Sequence, residues 1–219
     1  AKKWGLYTSK DLVNWEIKDV ALSPDEWYET HGCYSGSGLV VEDRINLVYT
    51  GNVKNEKDER ESYQCLAIET DNGTFEKIGP VINEIPKGFT EHFRDPKVWK
   101  ENDKYYMVIG AQNTNLLGEV LLYNSLNFRE WQLIGSIYDK NDMGYMIECP
   151  DLFKLKDTTI LSYSPQGLEP QGDLYNNIFQ SGYVIGEVDY LTGKSSWGNF
   201  TEFDRGFDFY APQTFLDNK

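Results

Sequence analysis

The stretches FRDPKVW (Phe93–Trp99) and ECPDLF (Glu148–Phe153) share one arrangement. Each sets a charged or reactive pair directly before a proline, and each then runs into strand-forming residues. Two further stretches align with them: Ser35-Gly36-Ser37-Gly38-Leu39 upstream and Tyr210-Ala211-Pro212-Gln213-Thr214 downstream. Pro96 and Pro150 stand 54 residues apart, and Pro150 and Pro212 stand 62 apart. A proline at a strand's first residue is structurally ordinary, because its missing N–H falls outside the ladder. That role does not require the residues before it.

The segments that follow also repeat. Gly38 to Val41 and Ile45 to Tyr49 flank Glu42-Asp43-Arg44 and predict a hairpin. Val98 to Lys100 with Tyr105 to Ile109, and Leu152 to Leu155 with Thr159 to Tyr163, predict two more. Each hairpin has two further strands behind it. They are Tyr63 to Glu69 and Phe75 to Ile78, then Glu119 to Tyr123 and Trp131 to Ile134, then Gly182 to Val188 and Phe200 to Phe203. Polar turns repeat as well. Ser9 precedes Trp15 by the same six residues that separate Ser125 from Trp131, and Thr70 to Glu76 lies between these two turns.

Four antiparallel strands in each period of this size predict an all-β fold of β-propeller type. A sandwich is the alternative, but sandwiches rarely repeat so regularly. In a propeller the entrances of the innermost strands converge on one funnel. The aligned pairs would then meet there, although they are far apart in the chain.

Composition agrees with a packed β protein. Of 219 residues, 40% are hydrophobic and 15% aromatic, with 19 glycines for tight turns. The net charge of −14 argues against nucleic acid or an anionic membrane as a partner. The mixed-sign run Lys54 to Glu61 reads as a solvated loop. Cys33, Cys65 and Cys149 show no paired or zinc-type spacing, which suits a reducing, cytoplasmic setting. No run reaches membrane-span length.

At the convergence, Asp95 and Glu148 supply two carboxylates. Such a pair across a polar pocket is what glycoside cleavage needs: one acid protonates the leaving oxygen, and other carboxylates stabilise or capture the oxocarbenium-like centre. Arg94 can hold a sugar hydroxyl or keep a neighbouring acid ionised.

These residues resemble glycoside hydrolase family 32, the invertases, sucrose-6-phosphate hydrolases and fructan hydrolases. FRDPKVW and ECPDLF are similar to its arginine-aspartate-proline and glutamate-cysteine motifs. Trp4 to Glu16 (WGLYTSKDLVNWE), Ala21 to Asp25, Thr30 to Val40 and Asp208 to Phe215 resemble further family segments in the family's order. The resemblance implies a five-bladed propeller and a retaining, two-step hydrolysis of β-fructofuranosyl bonds in a small sugar, without metal or cofactor. It implies Glu148 as general acid/base and Asp95 as transition-state stabiliser. Arg94, Tyr34, Ser35, Cys149 and Gln213 would bind substrate, with Tyr210 beside Gln213 in the fifth slot. Cys149 either tunes the adjacent acid or fills a small buried space. His31 and His92 are expected to be structural hydrogen-bonders.

The family's nucleophile is an aspartate in an asparagine-aspartate-proline motif, and this sequence has none: neither Asn102-Asp103 nor Asn141-Asp142 is followed by proline. The expected layout is a part of blade one over 1–33 and blades over 34–92, 93–146 and 147–207. A fifth blade would begin at 208–219, and the family's C-terminal β-sandwich would be absent. Such an internal fragment is expected to be inactive alone and to self-associate through open edges. A carbohydrate-binding propeller without catalysis is the competing reading. A furanosidase acting on arabinans is disfavoured by the Glu-Cys pair and by YAPQTF at 210–215.

Overall fold

The computed structural model describes residues 1–141, 143–207 and 209–216. Asp142, Asp208 at the expected start of the fifth unit, and residues 217–219 lie outside the described residues.

The fold is a succession of antiparallel sheets. β1 (Trp4–Ser9) and β2 (Trp15–Leu22) form a two-stranded sheet. After a short 3-10 turn, Trp27–Glu29, come β3 (Gly32–Val41), β4 (Arg44–Lys54), β5 (Arg60–Glu69) and β6 (Phe75–Ile82), hydrogen-bonded in that order. β7 (Phe89–Glu101), β8 (Lys104–Asn113), β9 (Gly118–Ser125) and β10 (Gln132–Tyr138) repeat the arrangement. The third sheet has β11 (Met146–Leu155), β12 (Thr158–Gln166) and β13 (Gly182–Val188), with β14 (Ser195–Trp197) and β15 (Thr201–Glu202) both paired to β13.

Local chemistry explains the repeat. The tight loops joining the first two strands of each sheet turn through positive φ at Glu42, Asp43, Asn102 and Lys156, which suits the right-handed twist of the strands they join. The Ser9 and Ser125 turns are built alike. Each serine hydroxyl accepts the backbone N–H three residues on, and that residue, Leu12 or Phe128, takes φ near +60°. The hairpin β1–β2 therefore corresponds to the outer hairpin β9–β10.

The core lies between sheets. Val48, Leu66, Phe93, Met107, Ile109 and Leu121 fill the space between the first and second four-stranded sheets. Val108, Leu122, Ile147, Leu161 and Val184 fill the space between the second and third. The first strands are stitched side by side. Ser37 Oγ donates to the Pro96 carbonyl and accepts from the Val98 N–H, both at 2.9 Å. Lys97 Nζ donates to Asp151 Oδ2 at 3.0 Å, and the Thr214 hydroxyl reaches the same oxygen at 2.7 Å.

Two expectations need correction. Pro96 and Pro150 are not first residues of strands, because β7 and β11 begin upstream at Phe89 and Met146. The ladder slips between Arg94 and Lys97 and between Glu148 and Asp151, so each proline sits in a bulge, where its missing N–H breaks no pairing. The outermost strand of the third sheet is not Phe200 to Phe203. It is split into β14 and β15, with the Gly198 N–H bonded back to the Ile185 carbonyl between them. Among the described residues no helix is long and apolar enough to cross a membrane.

The close approach of β8 to β11 generates a test. A Cβ on Gly110 would lie 2.1 Å from the Ile147 carbonyl oxygen, a contact with backbone that no rotamer relieves. Gly110→Ala should lower the unfolding free energy by about 1–3 kcal/mol, as overpacking does. Urea unfolding checks this, and wild-type stability in the variant would contradict the sheet-to-sheet contact.

Candidate active site

The bulges are the structural basis of the site. Asp95, Cys149 and Ala211 take positive φ of 65°, 47° and 54°, each directly before a proline. Proline disfavours the right-handed helical region for the residue before it, and the left-handed turn aims the preceding side chain into the convergence.

Arg94 reaches from the second sheet to the third. Its Nε and Nη2 donate to Glu148 Oε1 at 2.9 and 2.6 Å. Its Nε lies 4.0 Å from Asp95 Oδ2, so its hydrogen bonds go to the distant acid and not to its sequence neighbour. The other oxygen of Glu148, Oε2, accepts from Gln166 Nε2 at 2.8 Å and from the Tyr210 hydroxyl. Glu148 is thus held at both oxygens while its side chain stays 19% exposed.

Asp95 lies deeper, at 5% exposure. Its Oδ2 accepts the Cys149 N–H at 3.0 Å and faces the Cys149 thiol at 3.6 Å. Cys149 therefore turns its thiol to Asp95 and not to the adjacent Glu148. Burial, and then the Asp95 charge, push that thiol well above its ordinary pKa, and the Gln213 side chain also bonds it. The two acids occupy slots offset by one: Arg94 aligns with Glu148, and Asp95 with Cys149.

Tyr34, Ser35, Cys149 and Gln213 line one open cavity of about 420 Å³, together with Trp4, Gly36 and Ala211. His92 Nδ1 stands 3.1 Å from Arg94 Nη1. Guanidinium can only donate, so Nδ1 accepts and His92 is neutral. Burial and the nearby Arg94 and Arg60 lower its pKa in the same sense. His31 bonds Thr30 and the Lys54 backbone outside the cluster.

Sequence reasoning missed Gln166, and it missed Thr50 and Gln64 beneath the acids. Thr50 Oγ1 accepts the Asp95 N–H at 3.0 Å and donates to Gln64 Oε1 at 2.9 Å, while Gln64 Nε2 bonds the Phe93 carbonyl at 3.0 Å. A buried Thr-Gln pair across β4 and β5 was the available signal.

Burial raises the Asp95 pKa; Arg94 opposes this and the Glu148 charge adds to it. The folded chain therefore holds this proton more tightly than the unfolded chain does. Stability is lost as pH climbs from the ordinary carboxylate value of about 4 through the raised folded pKa. Asp95→Asn removes that loss. The variant-minus-wild-type melting temperature should become more positive from about pH 4 to pH 7. A difference that does not change with pH would contradict the assignment.

Comparison with known proteins supplies the family. The sequence matches "Glycosyl hydrolases family 32 N-terminal domain" over residues 1–219. It is 50% identical to the sucrose-6-phosphate hydrolase of Bacillus subtilis (strain 168), a match covering 100% of this chain and 47% of that protein. A Bombyx mori GH32 β-fructofuranosidase superimposes with a TM-score of 0.90 at 42% identity, over 99% of this chain and 46% of that one. A sucrose-6-phosphate hydrolase from Lactobacillus gasseri superimposes with a TM-score of 0.88 at 34% identity, over 95% and 44% of the two chains. The chain spans about half the length of the curated relatives it matches. With its family segments in order and its sheets superimposed on these structures, the chain belongs to glycosyl hydrolase family 32.

Proposed function

We propose that the chain carries the acid/base half of a retaining β-fructofuranosidase of the sucrose or sucrose-6-phosphate type, built on a five-bladed propeller. Its sheets at 34–92, 93–146 and 147–207 act as blades two to four, flanked by part of blade one at 1–33 and the start of blade five at 208–219. The observation that carries this reading is the meeting of Arg94, Asp95 and Glu148 in one cluster, with each acid held differently and with Cys149, which bonds Asp95, in the lining of the open cavity.

In the first step Glu148 protonates the glycosidic oxygen as the bond to the fructosyl carbon breaks, and the hexose leaves. Asp95, with Tyr34 and Ser35, holds hydroxyls of the flattened fructosyl ring. The attacking carboxylate belongs to the asparagine-aspartate-proline motif implied by the resemblance, a motif that this sequence does not contain. In the second step Glu148 takes a proton from water, which releases fructose. Arg94, Gln166 and Tyr210 fix the Glu148 rotamer through both steps. The Cys149 and Gln213 contact fixes Asp95. The unpaired cysteines suit a cytoplasmic setting.

That the similar proteins are named as hydrolases favours hydrolysis over binding alone. The test uses the natural full-length polypeptide. Glu148→Gln should lower kcat for sucrose or sucrose 6-phosphate by about 10²–10⁴-fold, the usual weight of a general acid/base. Glucose or glucose 6-phosphate release is the readout. Sugar binding without turnover in wild type would establish the non-catalytic alternative.

A further inference from the structure

Arg60 opens β5 at the end where the site lies. It shares a face of the strand with Ser62 and Gln64. Those two bond the carbonyls of Glu91 and Phe93, so this face of β5 lies along β7 at His92 and Arg94. The Arg60 guanidinium stands 5.6 Å from the centre of the Tyr34 ring, and Lys2 Nζ stands over the same ring at 4.4 Å. Two cations therefore share the aromatic that lines the candidate fructosyl cavity.

No carboxylate within ion-pair distance neutralises Arg60 among the described residues. Its neighbouring acids are engaged elsewhere: Glu59 accepts from Asn55, Glu61 accepts from Tyr63, and Glu91 takes the Ser62 backbone N–H. In a chain of net charge −14 a half-buried, unpaired arginine is out of keeping with its surroundings. An anionic substrate would be repelled by the overall field and needs local cations at the mouth of the site. A guanidinium has the planar fork that suits phosphate oxygens.

We infer that Arg60, with Lys2 beside it, forms an anion subsite at the rim that takes a phosphomonoester on the leaving hexose of the substrate. The inference rests on the fructofuranosidase reading above. It makes Arg60 a specificity residue, separate from the groups on the reacting bond.

The test compares wild type, Arg60→Gln and Arg60→Lys in the natural full-length polypeptide, with kcat/KM for sucrose 6-phosphate and for sucrose. The ratio of the two should fall at least about tenfold in Arg60→Gln, the worth of a lost charge-assisted hydrogen bond. Arg60→Lys keeps the charge but loses the fork, so its ratio should fall less. An unchanged ratio in Arg60→Gln overturns the subsite. If that variant does not fold, an unchanged ratio in Arg60→Lys does so. Should wild type cleave neither sugar, the fructofuranosidase reading fails on its own. Inorganic phosphate followed by 31P line broadening then decides: binding lost in Arg60→Gln supports the subsite, and equal binding overturns it.

Discussion

Each left-handed residue before a proline, Asp95, Cys149 and Ala211, is held from the unit before it. The Asp95 N–H is held by Thr50 of the first four-stranded sheet, and the Cys149 N–H by the carboxylate of Asp95 itself. The Ala211 N–H is held by the hydroxyls of Ser164 in β12 and of Ser181 just before β13. A left-handed residue next to a proline exposes an N–H that no ladder partner satisfies, and a buried N–H without a partner costs about 1–3 kcal/mol. Satisfying it from the neighbouring sheet fixes the position of one sheet against the next. The residues that serve this constraint also make up the site.

The two acids consequently acquire different characters. Asp95 sits in the hand-over, buried and bonded by backbone, and its charge is costly there. Glu148 projects one residue before its own bulge, where Arg94 from one side and Gln166 and Tyr210 from the other hold it with a small part exposed. A group that moves a proton to a substrate needs that partial access. A group that only holds hydroxyls is served better by rigidity. Replacing Arg94 with lysine would supply a charge but not the paired Nε and Nη2 donors that reach one oxygen.

Much of this was legible in the sequence, and the reasons are local. Alternating apolar residues around Glu42-Asp43 and Lys156-Asp157 specify hairpins by short-range rules, so the strands emerged with their order. The prolines 54 and 62 residues apart marked the slots. The bulge was not legible, because a proline at a strand's start and one inside a bulge leave the same trace. The one-residue offset between the two acids, by contrast, stands in the sequence once both motifs are aligned on their prolines. Gln166 and Tyr210 were hidden or underweighted for a different reason. Gln166 reaches Glu148 from the far end of β12, which no sequence period joins to the slots, whereas Tyr210 stands in the slot 62 residues after Glu148 and nothing local marks its hydroxyl as a partner of that acid. Phe200 to Phe203 promised one outer strand, but that edge is split into β14 and β15 around the turn at Gly198.

The central claim is that Arg94, Asp95 and Glu148 converge on one sugar ring. A crystal structure of the full-length polypeptide carrying Glu148→Gln, soaked with sucrose, tests it most directly. The account predicts the fructosyl ring in the cavity, its hydroxyls on Asp95 and its glycosidic oxygen on the side chain at position 148. A sugar bound elsewhere, or bound there with Asp95 untouched, would contradict it.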